Sequence, residues 1–198
     1  MSAWLLELVP QYGVWLLAGV TFLSCLALPM PSSILMLAAG GFAASGDLVL
    51  WQVMAAALTG ALIGDQLGYA AGRLGGPSLV ARLSRAPQRA ALVRRARALM
   101  LSRGLVAIFL SRWLISPVGP YVNLAAGTSG FGWGAFTLGS LTGEAVWVAL
   151  YTGTGHVFAD NLEAASDLLS SALGFIAGSA AVVILGLWLR HAVTVKGR

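Results

Sequence analysis

The chain has 198 residues, of which 58% are hydrophobic and only 10% charged, with a formal net charge of +5 and a mean hydropathy of +0.84. A soluble domain carries about 25% charged residues, so this composition argues against an ordinary soluble fold and points to a membrane. A lone cysteine, Cys25, excludes an intrachain disulfide and a thiolate metal cluster, and the absence of Lys or Arg before the first apolar run argues against a cleavable signal peptide.

About 20 apolar residues cross a bilayer as a helix, and on that measure the chain divides as follows. Residues 14–28 are apolar and end at Pro29-Met30-Pro31. Residues 32–44 form a second apolar piece, too short to cross alone. Gly46 and Asp47 mark a surface turn. Residues 49–72 read as a full span containing Asp65, closed by Gly75-Gly76-Pro77. Residues 78–102 interleave Leu79, Leu83, Ala90, Val93 and Leu99 with arginines, which suits a helix on an anionic lipid surface. Residues 105–115 are apolar but short, and Ser116-Pro117-Val118-Gly119-Pro120 interrupts them. Residues 121–128 are a short return. Residues 131–157 read as a full span containing Glu144. Asp160, Glu163 and Asp167 make an acidic loop, residues 173–189 a last span, and a basic tail ends the chain.

The two halves share a plan. Leu37-Ala38-Ala39-Gly40 is repeated as Leu124-Ala125-Ala126-Gly127, each after a proline-interrupted apolar stretch and before a span with a Gly-acid pair. Paired, broken short segments in corresponding halves point toward secondary-transporter architecture. Orientation follows from arginine: eight of the 12 Lys and Arg lie between Arg73 and Arg103. The basic segment and the tail therefore belong on the cytoplasmic side and the acidic loop outside. A pI near 10.1 is explained by this asymmetry, and no basic, aromatic-interleaved element supports nucleic-acid binding.

The count of crossings closes only if residues 105–128 form a re-entrant hairpin, matched by another near the start. The expected fold is an all-α integral membrane protein, with transmembrane helices and two opposed re-entrant helical hairpins in an inverted repeat. It forms one membrane domain: a first hairpin and span (12–72), a basic amphipathic cytoplasmic segment (73–103), a second hairpin and span (104–157) and a last span (172–190). The location is a cell membrane, the bacterial inner membrane, crossed several times.

Two carboxylates stand where carboxylates are costly. Asp65 and Glu144 each follow a glycine inside an apolar run, and a charge at bilayer depth costs about 2.5–3.5 kcal/mol or more. Such residues face a protein interior or a wet cavity and mark ion or substrate paths. Both are candidates for proton coupling or gating, since a carboxylate's protonation responds to burial and to nearby charge. Arg112, flanked by Ile108-Phe109-Leu110-Ser111 and Trp113-Leu114-Ile115, is a candidate anion ligand because its planar fork suits phosphate. The bland alternatives are an arginine snorkelling to the interface, an Asp65 paired with Arg73 or Arg112, and a protonated Glu144 bonded to Thr142 or Thr152. The proline breaks expose N–H groups at half-helix starts, which attract anions: Pro31, Ser32 and Ser33 at one, Pro120, Tyr121 and Asn123 at the other. His156 and His191 have no Cys or acidic cluster at ligand spacing, so no metal site is expected. No nucleophile elbow or phosphate-binding loop is present in the sequence, so neither an enzyme nor a cofactor is expected.

At these residues the chain resembles the DedA family, within the wider SNARE-associated Golgi protein (VTT domain) superfamily, from about Leu28 to Gly155. Pro31-Ser32-Ser33-Ile34-Leu35-Met36-Leu37-Ala38-Ala39-Gly40 resembles the family's first hairpin motif. Gly64-Asp65-Gln66-Leu67-Gly68-Tyr69-Ala70-Ala71-Gly72-Arg73 resembles its glycine-aspartate, tyrosine, glycine-arginine element. Phe109-Leu110-Ser111-Arg112, with Pro117, Pro120, Asn123 and Gly127, resembles the second hairpin. The resemblance implies movement of lipids between leaflets, including undecaprenyl phosphate and phospholipids. It carries over Arg112, Asp65, Tyr69, Arg73, Pro31 and Asn123. The chain departs from the family at Ser33, where an acid is usual, at Val118-Gly119, where a second arginine is usual, and at Glu144, where an apolar residue is usual.

Together these readings give an expected function: a membrane transport protein, a flippase or scramblase for a phosphate-bearing lipid, with proton coupling through Asp65, Glu144 and Arg73. Membrane lipids are the expected partners, and a homo-oligomer is compatible with them. The alternatives are a proton-coupled transporter of a small soluble solute and a structural membrane assembly factor.

Overall fold

The computed structural model describes residues 3–83, 85–114 and 118–159, which form seven helices and no strand. They are α1 (Ala3–Cys25), α2 (Ser32–Ala44), α3 (Leu50–Leu83), α4 (Pro87–Arg103), α5 (Leu105–Trp113), α6 (Gly119–Thr128) and α7 (Trp133–Val157). The expected last span, most of the acidic loop and the basic tail lie outside the described residues, as do Ile115, Ser116 and Pro117.

Both proline-marked breaks are helix ends. At the first, the Leu28 N–H donates back to the Leu23 carbonyl at 3.3 Å and Ala27 takes a φ of 64°, a left-handed helix stop. Pro29 and Pro31 follow and cannot continue the helix. At the second, α5 ends at Trp113 and α6 starts at Gly119.

The basic segment differs from the single helix expected over 78–102. Gly75-Gly76-Pro77 breaks α3 as expected, into two helical stretches that meet at a kink. Gly76 absorbs the bend at φ 53°, ψ −153°, and Pro77 sits where a new first turn tolerates it. A second helix, α4, then starts at Pro87. Ala96 and Met100 of α4 are buried and pack, with Leu92, Val93 and Leu99, against α5, α6 and Phe136 of α7. Arg94, Arg95 and Arg97 stay exposed. Part of the apolar surface of α4 therefore covers protein, while its arginines and Leu101 stay outward.

Among the described residues, no helix is long and apolar enough to cross a membrane. The two segments expected as full spans are helical and long: the 25 residues of α7 reach about 37 Å. Glycine, serine, threonine and one carboxylate each dilute their apolar character. The dilution is directional. Asp65, Ser140 and Glu144 point inward, while Ile63, Leu67, Leu138, Leu141 and Leu150 are exposed.

Close glycine contacts fix how the helices pack. A Cβ on Gly60 or Gly64 of α3 would strike the Ala18 or Phe22 carbonyl of α1, at 2.1 and 2.7 Å. In α7, a Cβ on Gly143 would lie 2.8 Å from the Phe109 carbonyl of α5, and one on Gly139 would crowd Ile108. The Leu-Ala-Ala-Gly helices cross between halves. A Cβ on Gly40 of α2 would lie 2.1 Å from the Thr152 carbonyl of α7, and one on Gly155 would lie 2.0 Å from Leu37 O. Likewise a Cβ on Gly127 of α6 would strike the Tyr69 carbonyl of α3, and one on Gly72 would strike the Leu124 carbonyl. Each half's short helix thus packs on the other half's long one.

Two apolar cores result. One joins Leu17, Val20, Met36, Val53, Trp147 and Val148. The other joins Tyr69, Ile108, Tyr121, Val122 and Phe136. Asp65 on α3 and Glu144 on α7 fall at the junction between them.

Candidate functional site

At that junction Arg112 of α5 meets Asp65, Asn123 and Glu144. Its Nη1 donates to Asp65 Oδ1 at 2.9 Å and its Nη2 to Asn123 Oδ1 at 2.7 Å. Its Nε lies 3.7 Å from Glu144 Oε1. Asn123 Nδ2 also donates to Asp65 Oδ1 at 2.8 Å, and the Ser140 hydroxyl donates to Asp65 Oδ2. The guanidinium stands 5.9 Å from the centre of the Phe136 ring. Asp65 and Asn123 are 0% exposed, Glu144 2% and Arg112 4%. Breaking such a buried pair costs far more than its making contributes.

Helix geometry explains the convergence. Gly143 lets α7 approach α5 until a Cβ there would lie 2.6 Å from Arg112 Cγ, which delivers Glu144 to the guanidinium. Gly68 does the same on α3, where a Cβ would lie 3.0 Å from Asn123 Cβ. The start of α6 lies close as well, with Arg112 Nη1 3.7 Å from the Cβ position of Gly119. A cavity of about 30 Å³ opens beside the cluster, lined by Ser24, Cys25, Ser111, Arg112, Gly119, Pro120, Glu144 and Trp147. It has room for a water or two. The ligand atoms of Cys25, Asp65 and Glu144 all lie within 4.8 Å of one another, and the Arg112 guanidinium already supplies the positive charge on the Asp65 side.

The structure gathers Arg112, Asn123, Asp65 and Glu144 into one site, with Pro120 at its edge. Pro31 precedes α2 and accepts from the Leu35 N–H at 3.1 Å. Ser32 donates to Ser24 Oγ at 3.1 Å, and Ser33 accepts from Trp147 Nε1 at 3.2 Å, so both border the cluster through one intermediary. Tyr69 is elsewhere. Its hydroxyl donates to the Phe131 carbonyl at 2.6 Å and its ring stacks on Phe136 at 4.6 Å, clamping the α6–α7 turn. Arg73 lies exposed in an open groove of about 640 Å³ shared with Gln66, Leu67, Leu74, Phe131 and Trp133. Asp65 therefore pairs with Arg112. Thr142 and Thr152 donate to Leu138 and Val148 carbonyls on their own helix, not to Glu144. Tyr69→Phe is expected to cost about 1 kcal/mol, read as a lower thermal unfolding midpoint.

Sequence reasoning missed Ser140, which bonds Asp65, and Cys25, whose Sγ lies 3.9 Å from Glu144 Oε1. A signal for both exists. Phe22-Leu23-Ser24-Cys25 aligns with Phe109-Leu110-Ser111-Arg112 in the same register as the Leu-Ala-Ala-Gly repeat. Gly60-Ala61-Leu62-Ile63-Gly64-Asp65 aligns with Gly139-Ser140-Leu141-Thr142-Gly143-Glu144.

Helices throughout the described residues, outward apolar side chains and a buried arginine–carboxylate cluster suit a membrane protein. The family model of the VTT domain matches residues 30–157, and the chain belongs to that family. An uncharacterized membrane protein of Synechocystis is 33% identical over 73% of this chain and 66% of its own length, so this chain spans about two thirds of that relative. Protein DedA of Escherichia coli is 28% identical over 78% of this chain and 74% of its own. No solved structure matches.

Proposed function

We propose that the chain is an integral membrane transporter that passes the phosphate-bearing headgroup of a lipid between leaflets at the Arg112 junction. The observation that carries this reading is the fully buried Arg112–Asp65 pair at 2.9 Å, with a second carboxylate beside it. A stable apolar core does not require such a group, and replacing buried ion pairs by apolar residues is often neutral or stabilising. An arginine fork is suited to phosphate, and the adjoining α6 start adds N–H groups that favour an anion.

The helix lengths support the hairpin arrangement. The nine residues of α5 and ten of α6 reach only about 14–15 Å each, against a hydrocarbon core of about 30 Å. Paired at their break, they enter and return. Outward-facing Trp15, Leu16, Trp51, Ile63, Leu138 and Leu150 suit contact with lipid, and the arginine face of α4 suits an anionic cytoplasmic surface. The cavity of about 30 Å³ is too small for a headgroup, so passage requires the two cores to part.

Reconstitution in liposomes with fluorescent lipids of different headgroups tests the reading. Phosphate-bearing lipids are expected to change leaflet and lipids with an uncharged headgroup are not. Uptake of a soluble solute without any lipid movement would favour the alternative transporter. Topology gives a further prediction: in a Cys25→Ser background, a cysteine at Arg89 labels from the cytoplasm and one at Asp47 from outside. Labelling of both from one side would sink the arrangement.

A further inference from the structure

Away from the Arg112 junction, an open groove of about 640 Å³ lies between α3 and the α6–α7 turn. Hydrogen bonds fix its walls. Trp133 Nε1 donates to Gln66 Oε1 at 2.8 Å, and Gln66 Nε2 donates to Thr137 Oγ1 at 3.2 Å. This bridge ties the start of α7 to α3 and closes one end of the groove. The Tyr69 hydroxyl holds the Phe131 carbonyl at 2.6 Å, which fixes the turn that forms the facing wall. Gly130 and Gly132 line that wall without side chains, so the space stays open.

Arg73 is the charged residue of the lining. It is exposed, and among the described residues it makes no ion pair. Its guanidinium lies over the turn, with Nη1 3.2 Å from the Cβ position of Gly130. Leu67, Ala70, Leu74 and Phe131 make the remainder largely apolar. Depth adds a second constraint. Leu50 to Arg73 measures about 35 Å along α3, against a hydrocarbon core of about 30 Å. In the membrane arrangement proposed above, Arg73 therefore reaches the level of the cytoplasmic phosphates, and Leu67 lies about 9 Å deeper. Trp133, 63% exposed, suits the same interface. A free anion would leave the apolar wall unused, and an uncharged apolar molecule would leave the guanidinium without a countercharge. A lipid with a phosphate at one end and a chain at the other satisfies both. The volume falls in the range of about 300–1,000 Å³ usual for ligand sites.

We propose that this groove holds one anionic phospholipid of the cytoplasmic leaflet, its phosphate on Arg73 and an acyl chain along Leu67 and Ala70 toward Gln66. The site goes beyond the transport reading, since holding a lipid here involves neither Arg112 nor movement between leaflets.

Native mass spectrometry of the purified full chain in non-ionic detergent tests it. The probes are phosphatidylglycerol, diacylglycerol with the same chains, and glycerol phosphate. The wild type is expected to retain one phosphatidylglycerol at concentrations where it retains neither of the others. Arg73→Gln is expected to weaken that retention about tenfold or more, the loss of one charge-assisted hydrogen bond. Arg94→Gln removes an exposed arginine of α4 outside the groove and should leave retention unchanged. Ala70→Phe keeps every charge but fills the groove, so it should also weaken retention; if it does not fold, Arg73→Gln decides alone. Equal retention of diacylglycerol or glycerol phosphate, an equal loss in Arg94→Gln, or undiminished retention in Arg73→Gln or in folded Ala70→Phe would overturn the proposal. The expected retention pattern in a chain that moves no lipid in liposomes would instead count against the transport reading alone.

Discussion

Arg112→Ala is expected to be the most damaging single change in the chain, lowering stability by about 3–5 kcal/mol. It leaves Asp65 buried with Asn123 and Ser140 but no countercharge, and removes the group nearest Glu144. Arg112→Lys keeps a charge but cannot bond Asp65 and Asn123 together as the planar fork does, so a smaller loss is expected. The double variant Arg112→Ala with Asp65→Ala separates structure from function. Removing both partners should restore much of the thermal midpoint, because no unpaired charge remains. Headgroup movement in liposomes should stay lost. Restored movement in that double variant would mean the pair only holds the helices together.

The second large effect is steric. Gly40→Ala and Gly127→Ala each place a methyl group 2.1 Å from a carbonyl oxygen of a neighbouring helix. That distance is far inside van der Waals contact, so α2 must move off α7, or α6 off α3. Overpacking of this kind costs about 1–3 kcal/mol, occasionally more, and here it displaces backbone. Both variants are expected to lose most of their monodisperse folded yield in detergent. Gly153→Ala is the control on the same long helix as Gly155. Nothing lies within 4 Å of a Cβ there, so yield and midpoint should be unchanged.

The sequence by itself determined a good deal. Its composition required an apolar exterior, and Pro29, Pro31 and Pro117 marked helix breaks because proline removes a donor and fixes φ. Asp65, Glu144 and Arg112 stood out because charge inside an apolar run demands a partner. The tertiary structure decided which partner. Arg73 is two turns from Asp65 on the same helix, whereas Arg112 is distant in sequence and reaches it at 2.9 Å. The choice rests on glycines 64, 68, 139 and 143, which set how closely α1, α5, α6 and α7 approach, and such distances follow from packing and not from local sequence pattern. Tyr69 and Arg73 belong to the same motif as Asp65 yet meet another region, because they lie about one and two turns further along the same side of α3, beside the α6–α7 turn. Gly75-Gly76-Pro77 read as a stop, and the helix does break there, at Gly76, before a further helical stretch. Cys25 acquires a role only from its contact with Glu144, a residue on the opposite half of the fold, because a buried carboxylate is defined by what packs against it.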